Sequence, residues 1–245
     1  MRYGSVARKG MIWLFWLALW ELVNRMIGNE VIFVGPFGMA KALMELLPEK
    51  FFWITLSGSF LKISAGFLAA FAGGILLGSL AYCFPWIGEL AEPLLLTIRS
   101  VPVASFVILA LIWVGAPHLS VLIAGLVVFP MIYAGTRTGL ENTDPRLLEM
   151  AQVFSVSFWK RLRYIYIPAV HPYLLSSCRT ALGMSWKSGV AAEVIGIPER
   201  SIGEQLYYSK LYLDTAGLFA WTCAIIVISA VFERLFLAVL NRVRH

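Results

Sequence analysis

Charge is what this chain has least of. Charged residues make up 14% of its 245 positions, against 60% hydrophobic. A soluble domain of this length needs more polar surface to stay dissolved, so that much apolar area points to burial in lipid. Cysteine is also scarce. Cys83, Cys178 and Cys223 lie in or beside apolar segments, and no CxxC spacing occurs, which argues against a disulfide framework or a zinc site. No GxxxxGK[ST] phosphate loop is present, so any ATP chemistry must come from another chain. No Ser–His pair, paired Asp or HExxH stands within the apolar runs, which argues against an intramembrane enzyme. We expect no catalytic residue, no metal and no nucleic-acid partner. The formal net charge of +6 sits at the ends of apolar runs, the pattern of membrane anchoring rather than of a basic nucleic-acid face.

The apolar runs themselves predict an all-α membrane protein, since a spanning helix needs about 20 mostly apolar residues. Six spans are read. They cover Met11 to Ile27, Leu56 to Tyr82, Ile87 to Val114, Leu119 to Gly139, Ala169 to Ile195, and Leu218 to Leu240. The third is interrupted near Arg99 and Pro102, and Pro130 is expected to kink the fourth. No small-residue cleavage site follows the first run, so it is read as an uncleaved span rather than a signal peptide. Arg2, Arg8, Lys9, the loop cations Arg146, Lys160, Arg161 and Arg163, and the terminal Arg242 and Arg244 then all fall on one side. The positive-inside rule makes that side, with both termini, cytoplasmic. Residues 38–47 place Lys41 and Glu45 opposite Met39, Ala42, Leu43, Leu46 and Leu47, the pattern of a short amphipathic helix at the outer surface. The chain divides into residues 1–55, a first span with that connector, and residues 56–245, the main transmembrane domain.

Within the second span Gly66, Ala70, Gly74 and Gly78 recur at a stride of four, a face that lets another backbone approach closely. Lys62, Arg99, Lys187 and Glu193 fall within or near hydrocarbon depth, where insertion costs roughly 2.5–3.5 kcal/mol each at a helix centre, so they should face protein or water. Lys62 is placed to snorkel to the outer surface. Lys187 and Glu193, six apart on a helix, are too far around it to form a ready ion pair. Ser185, Lys187 and Glu193 on the fifth span, with Arg99, are the candidate solute-path residues. His171 has no second ligand at helical spacing and reads as interfacial.

The loop at 144–168 is the most specific stretch. Asp144 is a plausible N-cap with Pro145 at the first helical position, and Leu147, Leu148, Ala151 and Val153 or Phe154 supply an apolar side to a short helix outside the bilayer, with Glu149 and Gln152 on its polar side. The loop resembles the EAA loop of ABC importer permeases, whose pattern is Glu-Ala-Ala, Gly after three residues, and later Ile-x-Leu-Pro. This chain has Glu149-Met150-Ala151, Ser155, and Ile165-Tyr166-Ile167-Pro168. Glu149, Ala151, Ile165 and Pro168 match; Met150 and Ser155 depart from it. A non-glycine at position 155 must adopt a left-handed backbone or reshape the turn. Ile98-Arg99-Ser100-Val101-Pro102 resembles the Arg-x-x-Pro element of the type I permease domain. Residues 181–187, Ala191-Ala192-Glu193 and the run from Ser201 to Leu206 resemble the sulfonate, taurine and nitrate branch.

This resemblance implies a type I permease bundle with a cytoplasmic coupling helix in the bacterial inner membrane. The implied coupling residues are Leu147, Leu148, Glu149, Ala151, Ser155 and Pro168. The implied partners are a cytoplasmic ABC ATPase dimer that holds ATP and Mg, a second permease subunit forming a homodimer, and an extracytoplasmic solute-binding protein. The implied solute is a small or organic anion of the sulfonate, taurine or nitrate type, with a thiamine-precursor-like heterocycle as second expectation. The alternative class is an ion-gradient-driven secondary transporter, which calls for repeated halves with broken helices; no such repeat is evident.

Overall fold

The structure, a computed structural model, describes residues 3–242, and within them every regular element is helical. Arg2 and Arg244, used above for orientation, lie outside the described residues, as does the side chain of Lys9. The order is α1 (Tyr3–Ile27), α2 (Pro36–Leu46), α3 (Lys50–Cys83), α4 (Pro85–Ser100), α5 (Val103–Val114), α6 (Ala116–Glu141), α7 (Pro145–Val153), α8 (Phe158–Arg161), a π-helical turn (Leu162–Tyr166), α9 (Ile167–Gly196), α10 (Ile202–Leu211) and α11 (Thr215–Arg242).

Among the described residues, four helices are long and apolar enough to cross a membrane: α1 over Gly10–Ile27, α3, α6 and α11. The expected third span is two helices, α4 and α5, which meet at a bend of 108° and count as a fifth span if taken together. The break falls where Pro102 removes a backbone donor and pushes Val101 out of the helical region, at ψ 129°. The expected fifth span is α9. It has 30 residues but carries Arg179, Lys187 and Glu193, and apolarity alone does not mark it as a span. Protein covers it instead: α9 packs along α6 and also touches α3, α5, α10 and α11.

The core is the three-helix seam of α3, α6 and α9. Its inside face holds Ile63, Phe67, Ala124, Val128, Ile132, Ala181 and Leu182, all within 1% of full burial, and the rings of Phe232 and Phe236 from α11 close over Phe67. The stride-four face of α3 is what makes the seam close. A methyl group on Gly66 would overlap the Val121 carbonyl of α6, one on Gly74 would stand 2.9 Å from Ile132, and one on Gly78 would stand 3.0 Å from Thr136. The order of these contacts shows that α3 and α6 run parallel. Gly139 against Val170, and Gly196 against Leu119, show that α9 runs antiparallel to α6.

The bundle therefore has two distinct ends. One gathers the C-terminal ends of α3, α6 and α11 with the loop of α7, α8 and the π-turn. The opposite end gathers α2, α10 and the N-terminal ends of α3, α6 and α11. The predicted amphipathic connector is α2, which starts at Pro36 and packs on α11 and α1. α1 contributes least to the core: none of Gly10–Ile27 is buried, and its tie to the rest includes Trp20 Nε1 donating to the Val34 carbonyl at 3.0 Å.

Candidate functional site

The loop that links α6 to α9 is built from its caps inward. The Asp144 carboxylate accepts from the Arg146 amide at 2.9 Å, and Pro145 fills the first position, where no donor is needed. The helix ends in a Schellman motif: Ser155 N–H donates to the Gln152 carbonyl at 3.0 Å and Val156 N–H to the Ala151 carbonyl at 2.8 Å. Ser155 is left-handed, at φ 50°. The turn that a glycine would favour is thus kept in shape by a serine. Arg161 Nε then donates to the Val156 carbonyl at 3.0 Å, which ties α8 to this turn. The π-turn buries Ile165 and leads without a break into α9, where Pro168 sits exposed in the first turn.

Placed on this frame, the candidate coupling residues separate into two faces. Glu149 and Leu147 are exposed and Leu148 is half-buried. Ala151 was expected on the same apolar ridge, yet it is fully buried against its own chain. Its small side chain lets α7 lie close to the bundle. The outward ridge is instead Leu147, Met150, Val153 and Phe154, the last two 80% and 74% exposed. Val153 and Phe154 were both candidates for the apolar side and both face outward; Met150 was missed, although it stands three residues from Leu147 and from Val153 and four from Phe154.

The candidate path residues do not form one cluster. Ser185 is fully buried, and its hydroxyl donates to the Leu182 carbonyl of its own helix at 2.9 Å. Lys187 is exposed on a stripe of α9 that also leaves Ser176, Thr180, Met184 and Ala191 uncovered. Arg99, at the end of α4, is exposed and donates from Nη2 to the Pro130 carbonyl of α6 at 2.7 Å. Glu193 lies on the opposite side of α9, at 0% exposure. The Ser59 hydroxyl of α3 donates to its Oε2 at 2.7 Å, and the Gly203 amide of α10 at 3.3 Å. No ion pair joins Lys187 to Glu193 among the described residues. His171 is buried, with Nε2 3.3 Å from the Leu240 carbonyl. It lines an apolar cavity of about 320 Å³ with Phe71, Leu140, Tyr166 and Leu174.

A helical bundle with a capped loop helix, a broken third span and a polar central helix is the arrangement against which relatives can be compared. The family model for the binding-protein-dependent transport system inner membrane component matches residues 62–245. The chain belongs to this family. It is a multi-pass membrane permease of the ABC transporter type, and it is similar to members of the sulfonate, taurine and nitrate branch.

One similar protein is the putative aliphatic sulfonates transport permease SsuC of Bacillus subtilis, 25% identical over 206 residues, 83% of this chain and 74% of that one. Another is the nitrate import permease NrtB of Synechococcus elongatus, 25% identical over 73% of this chain and 68% of its own. A third is the taurine transport system permease TauC of Escherichia coli, 27% identical over 81% and 70%. Among solved structures, an amino acid ABC transporter crystallised with histidines aligns with TM-score 0.54 and 21% identity over 78% of this chain and 92% of that one, a likeness of fold. The region matched by the family model begins inside α3, so α1 and α2 lie outside it.

Proposed function

We propose that this permease is the membrane subunit of an ATP-driven importer, working as a homodimer, with α7 as the helix that docks into a groove on a cytoplasmic ATPase subunit. The observation that carries the reading is the outward face of α7. Leu147, Met150, Val153 and Phe154 stand uncovered beside the exposed carboxylate of Glu149, on a helix capped at both ends and linked through α8 and the π-turn to α9. Burying a large apolar side chain in a groove is worth about 1.5–3 kcal/mol, and a shielded charge-assisted bond to Glu149 about as much. ATP and Mg belong to that partner. Closure of the ATPase dimer moves α7, and the two bundles switch between inward- and outward-facing states, a two-state element biased by a ligand bound in another chain.

The loop end is then cytoplasmic, and the opposite end, with α2 and α10, receives the solute-binding protein. The uncovered stripe of α9 is the best-supported wall of the path, because Ser176, Thr180 and Lys187 put polar groups on a membrane-depth face that the chain leaves open. Lys187 gives that wall positive charge. An anionic solute fits this charge, and the relatives are named for sulfonates, nitrate and taurine.

Co-purification of the ATPase with the permease, followed by transport in proteoliposomes, tests the reading. Glu149→Ala and Phe154→Ala should each weaken ATPase docking, by about 1.5–3 kcal/mol, while the permease still folds. Lys187→Ala should hold the ATPase as wild type does and lose transport. If both loop variants retain the ATPase at wild-type stoichiometry and activity, α7 is a surface helix only. Normal transport by Lys187→Ala moves the path elsewhere.

A further inference from the structure

Two of the segments that resemble the sulfonate branch, Ala191 to Glu193 and Ser201 to Leu206, are not used by the coupling loop or by the open stripe of α9. In the structure they meet at one carboxylate. Glu193 sits in the last turn of α9, and its Oε2 accepts from the Ser59 hydroxyl at 2.7 Å and from the Gly203 amide at 3.3 Å. The Ser59 oxygen in turn accepts from the Ile202 amide at 2.8 Å. The first two amides of α10 are therefore satisfied by side chains of α9 and α3 rather than by water. Ser201 and Glu204 complete the cap locally. Glu204 N–H donates to Ser201 Oγ at 3.1 Å and Arg200 N–H to Glu204 Oε2 at 2.7 Å.

The packing allows little slack. A methyl group on Gly203 would overlap Glu193, and one on Gly58 would stand 3.0 Å from the Arg200 carbonyl. Glu193, Ser59, Ser201 and Ile202 are all at 0% exposure. Ile197 and Arg200, in the short connection from α9 to α10, are both left-handed, at φ 46° and 55°. Burying a carboxylate at this depth is costly unless its bonds are made, and here both bonds fall on Oε2 while Oε1 is buried without a partner. A leucine would pack the same space at less cost, but it would leave the Gly203 amide unpaired and the Ser59 hydroxyl without its acceptor.

We propose that Glu193 is a positioning residue that locks α10 to the ends of α3 and α9, so that α10 moves with the core of the bundle as one body. This rests on the importer reading above, in which α10 lies at the end that receives the binding protein. The route is continuous: α7, the π-turn and α9 follow one another in the chain, and Glu193 hands the movement of α9 to α10 by hydrogen bonds. The carboxylate acts through its acceptor oxygen, so Glu193→Gln should keep the lock and Glu193→Leu should break it.

The test uses the permease dimer assembled with its ATPase in nanodiscs, with spin labels on single cysteines. One label replaces Lys50, at the start of α3; the other, in a separate sample, replaces Lys210 on α10. Distances between the two copies are measured without nucleotide and after trapping with ATP and vanadate. In the wild-type background both labels should give narrow distributions that shift on trapping. With Glu193→Leu the Lys50 distance should still shift, while the Lys210 distribution broadens and loses its shift. Glu193→Gln should restore it. A Lys210 shift in Glu193→Leu equal to that of wild type overturns the proposal. So does loss of the shift at both labels, which would make Glu193 a residue of the fold at large. Should Glu193→Leu fail to assemble, Ser59→Ala removes one arm of the lock and must broaden the Lys210 distribution; no change there overturns it as well. Absence of any shift in the wild-type complex, or of ATPase binding, is instead the failure of the importer reading and takes this proposal with it.

Discussion

Ser155 shows how a single side chain can be read from sequence and then explained by backbone geometry. It stands where the permease loop pattern has glycine, and the structure places it at φ 50° inside a Schellman turn. An L-residue in that conformation costs roughly 1–2 kcal/mol relative to the right-handed helix, and a β-branched one more. Ser155→Gly should therefore leave the melting temperature of the detergent-purified permease unchanged or higher, and Ser155→Val should lower stability by about 1–2 kcal/mol. A Val variant that melts as wild type does would mean that the turn is not held as described. Ala151 was legible as a motif position but not in its direction. Helical spacing puts it beside Leu147 and Leu148, and only packing shows that a small residue there turns inward so that α7 can lie against the bundle. Glu193 was legible as a costly charge. Its partners, Ser59 and Gly203, are 134 and 10 residues away in sequence, and no local pattern links them.

At the scale of elements, the stride of Gly66, Ala70, Gly74 and Gly78 gave away a close helix contact, though not its partner. That partner is α6, running parallel to α3. The contact predicts a contrast between two glycines. Gly66→Ala forces a methyl group into the Val121 carbonyl and should destabilise by about 1–3 kcal/mol, the usual range for overpacking. Gly183, on α9, has nothing within 4 Å of an added methyl group, so Gly183→Ala should be neutral or stabilising by about 0.5–1 kcal/mol through helix propensity. Thermal unfolding of both variants in one detergent checks this, and equal melting temperatures would remove the α3–α6 seam as the tightest part of the core. Helix ends were less legible. α3 begins at Lys50 and α11 at Thr215, each a few residues before the apolar runs start, because protein contacts extend a helix past the apolar segment. The bend between α4 and α5 was announced by Arg99 and Pro102, but its angle depends on what those helices pack against.

For the whole molecule, composition was enough to place the chain in a membrane, and four motif residues with their spacing were enough to point to the family. The proposed dimer and ATPase contacts depend on surfaces that meet other chains, so one sequence carries only one half of each. The orientation expected from the loop cations is open to a direct check. Single cysteines at Arg146 and Lys210, at opposite ends of the bundle, should react with a membrane-impermeant maleimide from opposite sides of intact cells: Lys210 from outside, Arg146 only after permeabilisation. Labelling of both from outside would reverse or break the topology. The unbroken helix α9 has a further consequence, which is one of leverage. Its 30 residues make a rod about 45 Å long, from the π-turn to Gly196, with Glu193 in its last turn. If the rod pivots near its middle, a tilt of about 5° displaces each tip by about 2 Å in opposite directions, with no helix unwinding at all. A push of that size on α7 at one face of the membrane thus reappears at the other face with its sense inverted, and a rigid rod delivers it without a relay of rearranging side chains.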